Sequence, residues 1–146
     1  MRIYLGHCTY NRPFDVQSSI KIQLEISAKL HIQAQIKQGK YDLVWSYMSD
    51  IENSKNPNIE NKKSIQKWEN IAKYKCKSSV HILNLGKEIE AKGIRVKDAL
   101  HIASAIESGC EYFITTDIGL LNKKIDKIEI LNPIDFVRKM EEKNEN

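Results

Sequence analysis

No stretch of this sequence approaches the ~18 consecutive apolar residues that a membrane span requires, and no apolar leader-type segment opens it. The chain is therefore expected to be soluble, unexported and cytoplasmic, with no membrane contact. Only three cysteines are present, Cys8, Cys76 and Cys110. They are odd in number, far apart, and without C-x-x-C spacing or a neighbouring histidine cluster, so neither a disulfide framework nor a zinc site is indicated. Reduced thiols in a cytoplasm fit that pattern. Glycine is scarce at 6 residues, and none falls in a phosphate-cradling loop, which argues against nucleotide-binding enzymes of the P-loop or Rossmann type. No serine or cysteine stands in a recognisable nucleophile motif.

At 146 residues the chain has the length of one domain, 1–146, with 41% hydrophobic and 29% charged residues. Those proportions support a packed core rather than disorder. Only the tail, from about residue 139 to 146, is expected to fray. The net charge of +4 is mild, but Lys55, Lys62, Lys63, Lys67, Lys73, Lys75 and Lys77 crowd one segment. Alone, such a segment reads as a solvated helix face; beside a cluster of catalytic acids it reads as a footprint for a polyanion.

Short apolar runs mark strands at residues 2–5, 42–45, 112–115 and 128–131, with a weaker one at 80–82. Between them lie helical stretches. The hardest of these is residues 20–36, where Ile20, Ile22, Leu24, Ile26, Ala28, Leu30, Ile32, Ala34 and Ile36 alternate strictly with polar residues, the period of a strand. That strand would be about three times the usual length. The intervening Gln, Glu, Lys and Ala favour a helix, Ser18 or Ser19 can cap it, and Gly39 can stop it. A turn is read at Asn11 and Pro13. Ser46 can cap the next helix, and Ser49 with Glu52 has capping-box spacing. A basic helix is predicted from Ile59 to about Cys76, another over residues 85–92 ending at Gly93, and a third opened by Asp98 and ending at Gly109. Asn132, Pro133 and Asp135 open the last. Strands alternating with helices predict an α/β fold with a parallel sheet covered on both faces.

In such sheets ligands bind beyond the carboxyl ends of the strands, where strand order reverses. Glu52, Asp98 and Asp117 all fall where strands give way to helices, so they can converge there. Gathered carboxylates suit a hard cation such as Mg2+ or Mn2+. Taken singly, each acid reads equally well as a helix cap or surface charge. His101, one turn after Asp98, can reach toward the site or simply be satisfied where it lies. Asp50 lies two residues before Glu52 and so points about 200° away from it on a helix, which favours Glu52. His7, next to Gly6 on an extended chain, should face away from it.

These residues resemble the PIN-domain family, a metal-dependent ribonuclease fold to which the toxins of many prokaryotic toxin-antitoxin pairs belong. The resemblance rests on RIYLGHCTYNRPF at 2–14, LVWSYMSDIENSKNP at 43–57, KDALHIASAIESGCEYFITTD at 97–117 and EILNPIDFV at 129–137. It implies a three-layer α/β/α sandwich with a mostly parallel five-stranded sheet, Mg2+ or Mn2+ as cofactor, RNA as substrate, a cognate antitoxin as partner and a homodimer. Glu52, Asp98 and Asp117 match three of the family's four acids as catalytic and metal-binding residues, Thr115 matches a hydroxyl residue lining the site, and Lys62, Lys63 and Lys67 would hold the RNA backbone. The chain departs at the first acid, where Gly6 stands for an aspartate. The implied activity is a ribonuclease weakened or silenced by that glycine; the alternative is a non-catalytic module that binds RNA or protein.

Overall fold

The computed structural model describes residues 1–10 and 19–145. The turn read at Asn11 and Pro13, the cap option at Ser18 and the end of the first motif lie outside these residues. Five strands, β1 (Arg2–Leu5), β2 (Asp42–Ser46), β3 (Tyr74–Cys76), β4 (Tyr112–Ile114) and β5 (Glu129–Leu131), form a sheet of order β3-β2-β1-β4-β5, and every pairing is parallel. Parallel neighbours require crossover connections, and the intervening helices supply them.

The two faces of the sheet separate residue by residue, as a pleat demands. Ile3, Leu5, Leu43, Trp45, Tyr112 and Ile114 turn to one core, while Tyr4, Val44 and Phe113 turn to the other. The first core is closed by α1 (Ile20–Lys37), α3 (Ile59–Gln66), α4 (Trp68–Ile71) and α8 (Pro133–Glu145), through residues such as Ile32, Ile65, Trp68 and Phe136. The second is closed by α5 (Val80–Glu90), α6 (Val96–Glu107) and α7 (Ile118–Leu121), through Ile82, Ile89, Ile102 and Leu120. α2 (Tyr47–Ser54) follows β2 at the carboxyl edge. The expected three-layer α/β/α arrangement is thus present.

Residues 20–36 are helical as expected. Ser19 caps α1 by accepting from the Ile22 amide, and Gly39, at φ 83°, takes the left-handed turn that an L side chain resists. Other expectations need correction. The long basic helix breaks into α3 and α4, and its end becomes β3, which pairs with β2. The strand expected at 80–82 is instead the first turn of α5, whose N-cap Ser79 accepts from the Ile82 amide at 3.1 Å. The predicted Ser49–Glu52 box is instead a Ser46–Ser49 box, which leaves Glu52 out of the cap. The last helix runs to Glu145, with Met140 buried and Lys139 Nζ 2.6 Å from Glu129 Oε1. Among the described residues, no helix is long and apolar enough to cross a membrane.

Candidate active site

The strand order reverses on either side of β1, so the loops leaving β1 and β4 part at its carboxyl end and open a crevice. A pocket of about 260 Å³ fills that crevice, and its lining includes Gly6, Glu52, Asp98, Thr115 and Asp117. Three separate elements deliver the acids. Glu52 projects from α2, Asp98 from the first turn of α6, and Asp117 is the N-cap of α7, its Oδ1 accepting from the Gly119 amide at 2.9 Å. Thr115 is buried beneath them, and its hydroxyl accepts from the Asp117 amide at 3.1 Å.

The chain meets all three acids with its own cations. One guanidinium nitrogen, Arg95 Nη2, lies 3.4 Å from Asp98 Oδ2 and 3.6 Å from Asp117 Oδ2. Lys97 Nζ lies 3.4 Å from Glu52 Oε2, and His101 Nε2 lies 2.7 Å from Glu52 Oε1. His101 is only 4% exposed, and its other nitrogen, Nδ1, is 2.5 Å from the Tyr4 hydroxyl, itself 2.6 Å from Ser46 Oγ. An ionised Glu52 only accepts, so Nε2 carries the proton. Nδ1 accepts from the Tyr4 hydroxyl when the ring is neutral and donates to it when the ring is charged. Burial pushes the Glu52 carboxyl upward, but the hydrogen bond and charge of His101, with His7 and Lys97 behind it, outweigh this and hold it at about 2. Burial likewise raises the Tyr4 hydroxyl above the usual phenol range, which keeps it a neutral member of the chain.

Two further expectations meet the structure differently. His7 does line the pocket, because the extended backbone ends at Leu5 and a 3-10 turn, His7–Tyr10, swings the imidazole round. Burial lowers its pKa from the ordinary histidine value, against an upward pull from Glu52. Asp50 points elsewhere, accepting from Trp45 Nε1 at 2.9 Å and Gln66 Nε2 at 3.0 Å. Among the described residues, the pocket's lining does not include Lys62, Lys63 or Lys67; its lysine is Lys97. A larger hollow of about 710 Å³ by β5 is lined by Lys123, Lys124, Asp126, Lys127 and Glu129. It carries charges of both signs and has none of the three acids, so size does not mark the chemistry here.

Carboxylate oxygens are the donors that a hard divalent cation prefers, and a guanidinium already stands between two of them as a substitute cation. The chemistry of these side chains suits such an ion, but among the described residues no three His, Cys, Asp or Glu side chains stand together as an ion-holding group. A Cβ built on Gly6 would meet Ile114 O at 3.3 Å and Thr115 Oγ1 at 3.4 Å, so a side chain at this position would be tightly packed. Gly6 is not among the positive-φ glycines, and its backbone has no need of glycine.

The crystal structure of VapBC2 from Rickettsia felis, bound to a DNA fragment from their promoter, superposes on this fold with a TM-score of 0.59 at 19% identity, covering 90% of this chain and 98% of that one. The fold is PIN-like. No protein-family model and no curated protein matches the sequence, so the PIN likeness rests on architecture. Within that PIN-like frame, sequence reading singled out the acids but missed Tyr4, Arg95 and Lys97 as their partners. Arg95 carried a usable signal, since it stands three residues before Asp98, at the N-cap of the helix whose first turn holds that acid. Tyr4 carried none beyond its place in β1.

Proposed function

We propose that this chain is a PIN-like ribonuclease of low intrinsic activity, hydrolysing RNA phosphodiester bonds with Mg2+ or Mn2+ held by Glu52, Asp98 and Asp117. The observation that carries this reading is that these acids line one pocket at the switch point of a PIN-like sheet, where Arg95, Lys97 and His101 pair with them. A divalent ion there would polarise the phosphodiester and acidify a water. The Tyr4–His101 chain fixes the Glu52 carboxylate, Arg95 and Lys97 balance the acids and are placed to meet phosphate oxygens, and Thr115 steadies the turn that presents Asp117. An antitoxin-like protein and a second copy of the chain are proposed partners, since the structural neighbour is a VapBC complex. A cytoplasmic setting agrees with three free cysteines.

Gly6, together with the pairing of every acid, favours a second reading, a module that holds RNA or protein without cutting it. Activity and metal binding separate the two. Gly6→Asp should raise Mn2+-dependent cleavage of single-stranded RNA at least tenfold, after a packing cost of about 1 kcal/mol at the tight Cβ position. Adding Asp98→Asn or Asp117→Asn should abolish the gain. Arg95→Gln, which removes the competing guanidinium, should tighten Mn2+ binding by calorimetry. A folded Gly6→Asp protein that binds Mn2+ and cuts no faster than the parent would leave the non-catalytic module as the function.

A further inference from the structure

Beside the acid pocket lies a second depression of about 660 Å³, a volume typical of ligand sites. Its apolar surface comes from Met48 and Ile51 of α2 and from Val96 and Leu100 of α6. Ile51 is 43% and Val96 53% exposed, so both present apolar surface to an occupant. Lys55 and Lys97 also line it, and His7, Glu52 and Lys97 line both this groove and the acid pocket. The two hollows are therefore adjacent. An occupant of the groove lies beside the acid pocket.

We propose that this groove is a base subsite, taking one unpaired nucleobase of single-stranded RNA next to the phosphate that reaches the acids. The inference rests on the ribonuclease reading and adds to it the place where one base of the strand is held. A base freed from its stack exposes two apolar faces, which aliphatic walls on α2 and α6 can cover, while its flanking phosphates need cations. Lys55 and Lys97 supply these. The acid of the groove, Glu52, is already matched by Lys97 and His101, so the charge left over is positive and suits a polyanion better than a basic peptide. A duplex keeps its bases stacked and cannot offer one to the groove.

The test uses the full chain in EDTA, so that nothing is cut, with a fluorescent single-stranded 12-mer RNA, the duplex of the same sequence, and a 4-thiouridine version for photocrosslinking. The expected results are single-strand binding well above duplex binding, a loss of about tenfold in the Ile51→Ser/Val96→Ser double variant, and crosslinks within residues 48–57 or 96–100. Both substituted side chains are exposed, and circular dichroism checks that the variant is folded. Equal binding of single strand and duplex, full affinity in the folded double variant, or crosslinks confined to other segments would overturn the subsite. If the double variant keeps its RNA affinity but loses self-association in sedimentation, the groove is instead a protein interface. No binding of the 12-mer by the parent chain would remove the RNA reading itself, and the subsite with it.

Discussion

Glu52 shows how much of a site hangs on partners that the sequence does not advertise. Its position after β2 made it a candidate, yet its behaviour is set by His101 and Tyr4, which lie 49 and 97 residues apart from their partners along the chain. Only folding could reveal that α2 leans on α6 at this point. A testable consequence is acid sensitivity. The folded carboxyl titrates at about 2 against an ordinary 4.5, so the unfolded chain binds the proton more readily. The pairing stabilises fully above about pH 5 and is lost as pH falls through that window toward 2, roughly 2–4 kcal/mol in all. In urea unfolding, the stability gap between parent and His101→Leu should therefore be widest near neutrality and narrow on acidification. A gap independent of pH would mean that His101 contributes packing alone.

Elements were legible where local chemistry and burial agree, and obscure where they diverge. β1, β2 and β4 are buried runs and read directly from the sequence. β3 sits at the sheet edge with Tyr74 38% exposed and Lys75 beside it; an edge strand stays polar, so no apolar run announced it. Meanwhile Val80, 73% exposed on α5, supplied a false signal. α1 is the sharpest case, since its period-2 pattern splits on a helix into two stripes. Ala28, Ile32 and Ile36 enter the core, while Ile22 and Leu30 stay 39% and 47% exposed on the other side. Ile32→Ala should accordingly cost about 2–5 kcal/mol in chemical denaturation, whereas Leu30→Gln should change stability by no more than about 0.5 kcal/mol. On a strand, residues 30 and 32 would share a face and the two substitutions would cost alike.

At the scale of the whole molecule, the alternation of strands and helices was enough to give the layered sheet, and the three acids line one pocket at its switch point. Of the lysines bunched between residues 55 and 77, Lys55 lines the groove and none lines the acid pocket. Lys62 spends its ammonium on the Ser54 carbonyl, and the cations that line the acid pocket and its groove are Arg95, Lys97 and Lys55. Counterion release turns this into a number. Each phosphate neutralised on a single strand contributes about −0.7 to the slope of log affinity against log salt, so three cations predict a slope of about −2. If Lys62, Lys63 and Lys67 also lay along the strand, the slope would approach about −4. Anisotropy titrations of a single-stranded RNA between low and physiological salt should give the shallower value. Lys55→Gln should reduce it by about 0.7, and a Lys63→Gln/Lys67→Gln pair should leave it unchanged. The steeper slope, flattened by that pair, would move the RNA path off the acid rim and onto α3.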